Sequence, residues 1–341
     1  MSWLALDIGG ANLKAASGRG YAASRPFELW RAPERLLAEL EPLIEAAPHA
    51  TQLAITMTGE LADCYETKAT GVRAILEAVK TASGARSIAV YLADGTWATL
   101  DDAWETPLSA AASNWRALAA FANRYVSSWP ALLMDMGSTT TDIVPLSKSG
   151  PCPAGLHDPD RLISGELVYT GVERTPISAI VQRLPWQGGA CPVAAEIFAT
   201  AADAHLLLGD LSEEAQNTET ADGRPRTKQA AHSRMARMIC ADATMYSISD
   251  AMLGAAAVRD AQIQLLEEAV RRVAGRLGEN PRTIILSGHG EFLLRKLVAR
   301  LPWDCEVKSL SVELGAEISR CAPAHGLAVL AVEAWGNQAR G

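Results

Sequence analysis

From residue 4 to residue 16 the chain reads LALDIGGANLKAA, an apolar run broken only by Asp7, then Gly9-Gly10, then a second run from Leu13 to Ala16. The pattern predicts a buried strand over 4–8, a tight turn at the glycines and a returning strand over 13–16. The period changes in residues 33–46, where Leu36, Leu37, Leu40, Leu43 and Ile44 fall at helical spacing and Pro33 sits near the first turn. Residues 52–57 predict a short strand, 71–81 a helix on Val72, Ile75, Leu76 and Val79, 87–92 a strand, and the alanine-rich 110–125 a helix. At Ala131 the pattern restarts with strand, turn and strand. Residues 161–172 are polar and punctuated by glycine, which predicts loops and short strands. Helices are expected over 192–208 and 229–242, with the polar stretch SEEAQNTETADGRPRTK between them as a surface loop or flap. A long amphipathic helix is expected over 259–277, with Ile263, Leu266, Val270, Val273 and Leu277 on one stripe. A strand over 283–286, the turn SGHG, a helix over 291–300 and an alanine-rich helix over 323–335 complete the chain.

Strand-period and helix-period segments mix through both halves, so the fold class is α/β. The second half also repeats the first. LLMDMGSTTTDIV, residues 132–144, matches LALDIGGANLKAA: Asp135 falls on Asp7, Met136 on Ile8 and Gly137 on Gly9. Two similar lobes are expected, each opening with the same strand–turn–strand unit, with a ligand cleft between them.

Size and charge narrow the partners. A chain of 341 residues with 49% apolar and 21% charged residues is globular and long enough for two lobes. Its net charge of −8 argues against a broad nucleic-acid surface. The six cysteines, at 64, 152, 191, 240, 305 and 321, form no CxxC pair, which argues against a zinc site of that type, and a chain of this size needs no disulfide staples, so free thiols in a cytoplasmic protein are expected. MSWLALDIGG lacks the basic and apolar regions of a signal peptide, and no stretch reaches the ~18 apolar residues of a membrane span.

The turns carry the chemistry. A glycine-rich turn between strands exposes backbone N–H groups, and such a nest binds anions, phosphates above all. In DIGGANLK, Gly9, Gly10 and Asn12 make the turn, Asp7 is placed to hold Mg²⁺ and Lys14 can reach a phosphate oxygen. The competing account is a plain hairpin whose Asp caps its own turn. In DMGSTTTD, Gly137, Ser138, Thr139 and Thr140 supply backbone donors and hydroxyls between Asp135 and Asp142, though consecutive threonines also suit an edge strand. If the lobes face each other, both turns grip one phosphorylated ligand. A third turn, LSGHGEF, follows a strand and opens a helix; Gly288 and Gly290 allow close backbone approach, and His289 is a loop histidine that titrates near neutrality or is simply exposed.

Paired D-x-G turns of this kind resemble the acetate and sugar kinase/heat-shock chaperone/actin superfamily. The resemblance implies two ribonuclease-H-like lobes, 1–130 and 131–321, with the C-terminal helix 322–341 returning to the first. It implies that Asp7 and Gly9 begin the first phosphate motif, that Asp135 and Gly137 begin the second, and that 287–290 lie near a nucleoside-side motif. More narrowly, DIGGANLK, MTGELADCYETKATGV, DMGSTTTDI, DRLISGELVYTGVERTP, ADGRPRT and SGHGEFL, in this order, resemble the hydantoinase/oxoprolinase-like proteins of the tetrahydromethanopterin-linked one-carbon pathway. Those proteins form the aryl ether of methanofuran or methylofuran. They condense an aminomethyl-furanmethyl diphosphate with the phenol of γ-glutamyltyramine, or of tyrosine in methylotrophic bacteria, and release pyrophosphate. The phenol and the oligomeric state are not set by these residues.

That reaction asks for stabilisation of the leaving pyrophosphate, which the two nests, the hydroxyls, Lys14 and Mg²⁺ on Asp7 and Asp135 would supply. It also asks for a base toward a phenol whose reference pKa is about 10. Glu60 in MTGEL is the first candidate and Glu166 and Asp63 the next, each with a solvated or turn-capping role as the alternative. Thr58 and Gly59 would extend the donor surface, and Arg174 would hold a diphosphate or a substrate carboxylate. Asp222, Arg224 and Arg226 either close over the ligand or lie in a solvated loop; Asp242 sits among apolar neighbours; none of the nine tryptophans is assigned to substrate. Two rivals stand beside this transferase: an ATP-dependent small-molecule kinase or amidohydrolase, and a sensing protein whose lobes close on a ligand without chemistry.

Overall fold

The computed structural model describes residues 2–336; the last five residues of the expected C-terminal helix lie outside them. Each lobe is built on a six-stranded sheet, and the central strands of the two sheets share one order. In the first, β1 (Trp3–Ile8), β2 (Asn12–Ala16), β3 (Ala22–Pro26), β4 (Gln52–Met57), β5 (Ser87–Tyr91) and β6 (Trp97–Thr99) lie in the order β3-β2-β1-β4-β5-β6. β1, β4 and β5 are parallel and the others antiparallel. In the second, β7 (Ala131–Met136), β8 (Thr141–Ser147), β9 (Gly150–Pro151) and β10 (Leu167–Val168) come first. After the hairpin β11 (Arg183–Trp186) and β12 (Gly189–Pro192) follow β13 (Thr283–Ser287) and β14 (Glu306–Ser309). The second sheet runs β10-β8-β7-β13-β14, with β9 on β8, so β7, β8, β13 and β14 repeat β1, β2, β4 and β5.

β1, β4, β7 and β13 are buried on both faces almost throughout, which is why they read as unbroken apolar runs. Helices Leu36–Glu45 and Lys68–Ser83 cover one face of the first sheet through Leu40, Ile44, Ile75 and Val79. Helix Ile248–Gly275 covers the second through Ile263, Leu266, Val270 and Val273. Its first turns instead carry Ala251, Ala255 and Val258 into a separate core with helices Ala201–Leu208 and Lys228–Arg237. Two helices join the lobes. Asn114–Ala122 packs Trp115, Leu118 and Ala122 on β7 and β8 and meets helix Ala322–Gly336 on its other side. That last helix lays Leu327, Ala328 and Ala331 on β1, β4 and β5, so the chain's end is built into the first lobe.

Several expectations are corrected. Residues 192–200 are not helical: β12 ends at Pro192 and the helix begins only at Ala201, capped by Thr200 and Asp203. Residues 158–164 form a helix that Gly165 ends in a left-handed conformation, φ +81°. The long helix starts eleven residues earlier than expected, at Ile248, where Ser247 caps it by accepting from the Asp250 N–H.

Candidate active site

The two hairpins are alike atom for atom in their tight bonds. Gly9 N–H donates to the Asn12 carbonyl at 3.0 Å and Gly137 N–H to the Thr140 carbonyl at 2.9 Å. Asp7 and Lys14 are register partners across β1 and β2; Asp135 and Asp142 hold the same positions across β7 and β8. The turn carbonyls are occupied from behind. Leu29 and Phe27 N–H donate to Gly10 and Ala11 O, while Val172, Glu173 and Arg174 N–H donate to Gly137 and Ser138 O. Among the described residues the N–H groups of Gly10 and Ala11, and of Ser138 and Thr139, have no such partner. Each turn therefore presents two amides to the cleft, a nest for an anion.

Both turns line one cleft of about 430 Å³ between the lobes, together with Asp7, Asn12, Lys14, Trp30, Thr58, Glu60, Asp135 and Arg174. Six carboxylates (Asp7, Glu60, Asp63, Asp135, Asp142, Asp158) and three cations (Lys14, Arg161, Arg174) face it, so a bare polyanion would meet net repulsion. Burial pushes the Asp7 carboxyl up against the pull of Lys14, whose Nζ lies 3.6 Å from it. For Lys14, burial works against the charge, but Asp7 and Asp135 outweigh it and its pKa rises. Burial and then the Asp142 charge push Asp135 up to about 6. Glu60 is raised by burial, with Lys68 opposing from 3.9 Å; its Oε2, like Asp7 Oδ1, is buried without a hydrogen-bond partner among the described residues.

Some expected residues are elsewhere. Glu166 is fully buried away from the cleft lining, where it accepts from Ala154 N–H and pairs with Arg276 at the end of the long helix. Gly288 and Gly290 are absent from the cleft lining; a Cβ at either would run into Met136, and Gly288 has φ +88°. They let the third turn press on the second. Thr58 and Gly59 spend their N–H groups on Ile8 O, so only the Thr58 side chain adds to the lining, and Gly59 is a packing glycine against Leu29. Asp222 is tied to Arg234 and Arg237, and Arg226 to Glu173, which anchors the loop to the second lobe. Asp242 caps its own turn by accepting from Thr244 and Met245 N–H.

Other residues had no signal in the sequence. Trp30 and Trp115 line the cleft; Arg174 stacks 4.5 Å above the Trp30 ring and Arg161 3.9 Å above the Trp115 ring. Arg161, nearly fully buried, also donates to Asp142 at 2.7 Å. Asp158, from the second lobe, meets Lys68 of the first at 2.5 Å. Tyr169 and Leu61, 68% and 63% exposed, form an apolar rim. These residues sit on loops and helix ends whose approach depends on how the lobes dock.

A model of the hydantoinase/oxoprolinase family matches residues 52–334. The chain is 32% identical over 331 residues to the (4-{4-[2-(gamma-L-glutamylamino)ethyl]phenoxymethyl}furan-2-yl)methanamine synthase of Methanocaldococcus jannaschii, covering 96% of each. The protein of that name from Methanococcus vannielii is 29% identical over 201 residues, 58% of this chain and 89% of its own. Among solved structures, the activator of the 2-hydroxyisocaproyl-CoA dehydratase from Clostridium difficile aligns over 100% of this chain and 97% of its own, with 11% identity and a TM-score of 0.48. The ROK hexokinase of Thermus thermophilus covers 98% and 99%, with 13% identity and a TM-score of 0.46. Matched by the family model over most of its length and by a full-length relative above 30% identity, the chain belongs to the hydantoinase/oxoprolinase family.

Proposed function

We propose that this chain is the transferase that joins an aminomethyl-furanmethyl diphosphate to the phenol of tyrosine, tyramine or a γ-glutamyl derivative, releasing pyrophosphate, in methanofuran or methylofuran biosynthesis. The observation that carries the proposal is the pair of equivalent turns opening into one cleft, in a chain that aligns end to end with a synthase of that product. Its place is the cytoplasm, to which six free thiols are suited. No helix among the described residues is long and apolar enough to cross a membrane.

In this reading the C–O bond between the furanmethyl carbon and the diphosphate breaks, and the phenol oxygen bonds to that carbon. The N–H groups of Gly10, Ala11, Ser138 and Thr139 receive the charge growing on the leaving diphosphate, with Lys14 beside them. The carboxylates of Asp7 and Asp135 are hard oxygen donors, and the unpartnered Asp7 Oδ1 fits a cation. Mg²⁺ takes one or two carboxylates and fills its shell with phosphate oxygens and water. Bound there, Mg²⁺ would neutralise diphosphate charge and offset the acidic cleft. Glu60 takes the phenol proton as the new bond forms; its burial makes it a stronger base than an exposed carboxylate. Trp30, Leu61 and Tyr169 supply apolar surface for the two rings. The end-to-end match to a relative named for this product is what favours this reading over a kinase.

The test supplies purified protein with the furanmethyl diphosphate, Mg²⁺ and each phenol in turn. Ether and pyrophosphate are expected in equal amounts, and the absence of both with every phenol would overturn the proposal. Glu60→Gln is expected to lower kcat by about 10²–10⁴-fold while Mg²⁺–pyrophosphate binding survives. In a parallel titration ATP should not bind; ATP binding with phosphate release would put the kinase first.

A further inference from the structure

The second lobe contains a buried polar chain that the reaction described above does not use. His205 and Gln262 are fully buried and Thr170 nearly so. Gln262, on helix Ile248–Gly275, donates its amide to Thr170 Oγ1 at 2.9 Å and to the Gly171 carbonyl at 3.0 Å. A carbonyl only accepts, so the amide orientation is fixed and its Oε1 must accept from His205 Nε2 at 3.0 Å. On the far side His205 Nδ1 faces Asp210 at 3.4 Å, and Asp210 accepts from Lys296 at 2.8 Å. The Thr170 carbonyl in turn accepts from Thr141 Oγ1 on β8 at 2.8 Å.

This chain ends at the back of the second turn. Gly171 lies against Ser138 and Thr139 so closely that a Cβ there would collide with their backbone. The next three residues donate their N–H groups to Gly137 and Ser138 O at 3.0–3.1 Å. Those carbonyls are thereby turned from the cleft, and the Ser138 and Thr139 amides turned into it. Among the described residues the first turn has no such side-chain chain behind it: Phe27 and Leu29 reach it from the chain that follows β3.

We infer that Gln262 and Thr170, oriented by His205, are positioning residues that hold the strap 170–174 against the second turn and keep its amides aimed at the diphosphate. They touch no substrate and act through the backbone of residues 137–139. Burying three polar side chains is unfavourable unless each is hydrogen-bonded, and here Gln262 spends its amide on Thr170, Gly171 and His205 Nε2, at one side of the phosphate nest. The brace stands on this geometry alone; the identity of the ligand rests on the proposed transferase.

The experiment uses the full chain with Thr170→Val, which removes one hydroxyl, Gln262→Met, which keeps the volume, and Thr170→Ser as the conservative control. Amide hydrogen exchange at 137–140 and 170–174 is compared with exchange at 9–12, and inorganic pyrophosphate is titrated with Mg²⁺. Thr170→Val and Gln262→Met are expected to speed exchange at the second turn and strap only, and to weaken pyrophosphate binding roughly tenfold, the equivalent of about 1.4 kcal/mol. Thr170→Ser should behave as the unmodified protein. Exchange that rises equally at both turns, or a lower Tm with the second turn unchanged, would overturn the brace. If the unmodified protein fails to bind pyrophosphate, the transferase proposal is what fails, and the exchange comparison still decides the brace.

Discussion

Lys14 and Asp142 occupy the same register position of two equivalent hairpins, and the difference divides the work of the cleft. In the first lobe the aspartate at the strand end has a cation beside it; in the second it has another acid, and with burial this lifts Asp135 to about 6. An acid whose folded pKa lies above its unfolded value costs stability when ionised. That cost is fully present above about pH 6 and fades as pH falls toward 3.8. Asp135→Asn is therefore expected to raise the Tm of the ligand-free protein at pH 7 by a few degrees, less than the full shift implies because the cleft is open to water. The same change should abolish ether formation. Tm scans of both proteins from pH 4 to 8 check this: the curves should converge toward the acid end, and parallel curves would count against the assignment. For Lys14→Met the expected loss is about 10²–10³ in kcat/KM with the fold intact, read by steady-state kinetics beside circular dichroism.

At the scale of elements, the repeat was legible because β1, β4, β7 and β13 are central and buried, so each wrote a continuous apolar word before its turn. The amphipathic helices were legible for the same reason. Edge strands were not: β3 (AASRP) and β14 (EVKS) are largely exposed and carry no alternation that the core enforces. The hairpin β11–β12 turns at Gln187 and Gly188, both at positive φ, without the Asn-Gly or Asp-Gly pair that usually announces such a turn. Its neighbours belong to a small core completed by alanines of the long helix, which show no stripe in the sequence. Glycines illustrate a second limit. Gly10 and Gly288 look alike in sequence, yet a Cβ at Gly10 meets nothing within 4 Å, whereas at Gly288 it meets Met136 and Asp135 from a left-handed backbone. Gly10→Ala is expected to keep its Tm within about 2 °C and to lose phosphate affinity, because the open space is the cleft. Gly288→Ala should lose about 3 kcal/mol of stability before any question of ligand arises. Denaturant titration separates the two, and equal destabilisation would refute the distinction.

Taken as a whole, the molecule has contacts between its lobes beside the cleft, and two of them could not be read from the sequence because each pairs residues more than 85 positions apart. Lys68 reaches Asp158, and Arg174 lies flat on Trp30 beside both turns. Arg174 has no carboxylate partner among the described residues, so its N–H edge stays available while its face is stacked. A furanmethyl cation, once formed, is captured by whichever nucleophile is nearest, and water competes with the phenol unless closure excludes it. The contacts should then matter less for whether the diphosphate ionises than for what traps the carbon. Trp30→Ala and Lys68→Ala are expected to leave pyrophosphate release within about threefold of the unmodified rate, because neither side chain belongs to the two turns. They should divert product from ether to the furanmethyl alcohol, several-fold more for Trp30→Ala because it also strips apolar wall from the site. Chromatography of ether and alcohol against total pyrophosphate gives the partition directly. An unchanged ratio would mean that the turns and Glu60 alone control the cation, and that the two lobe contacts serve stability rather than the exclusion of water.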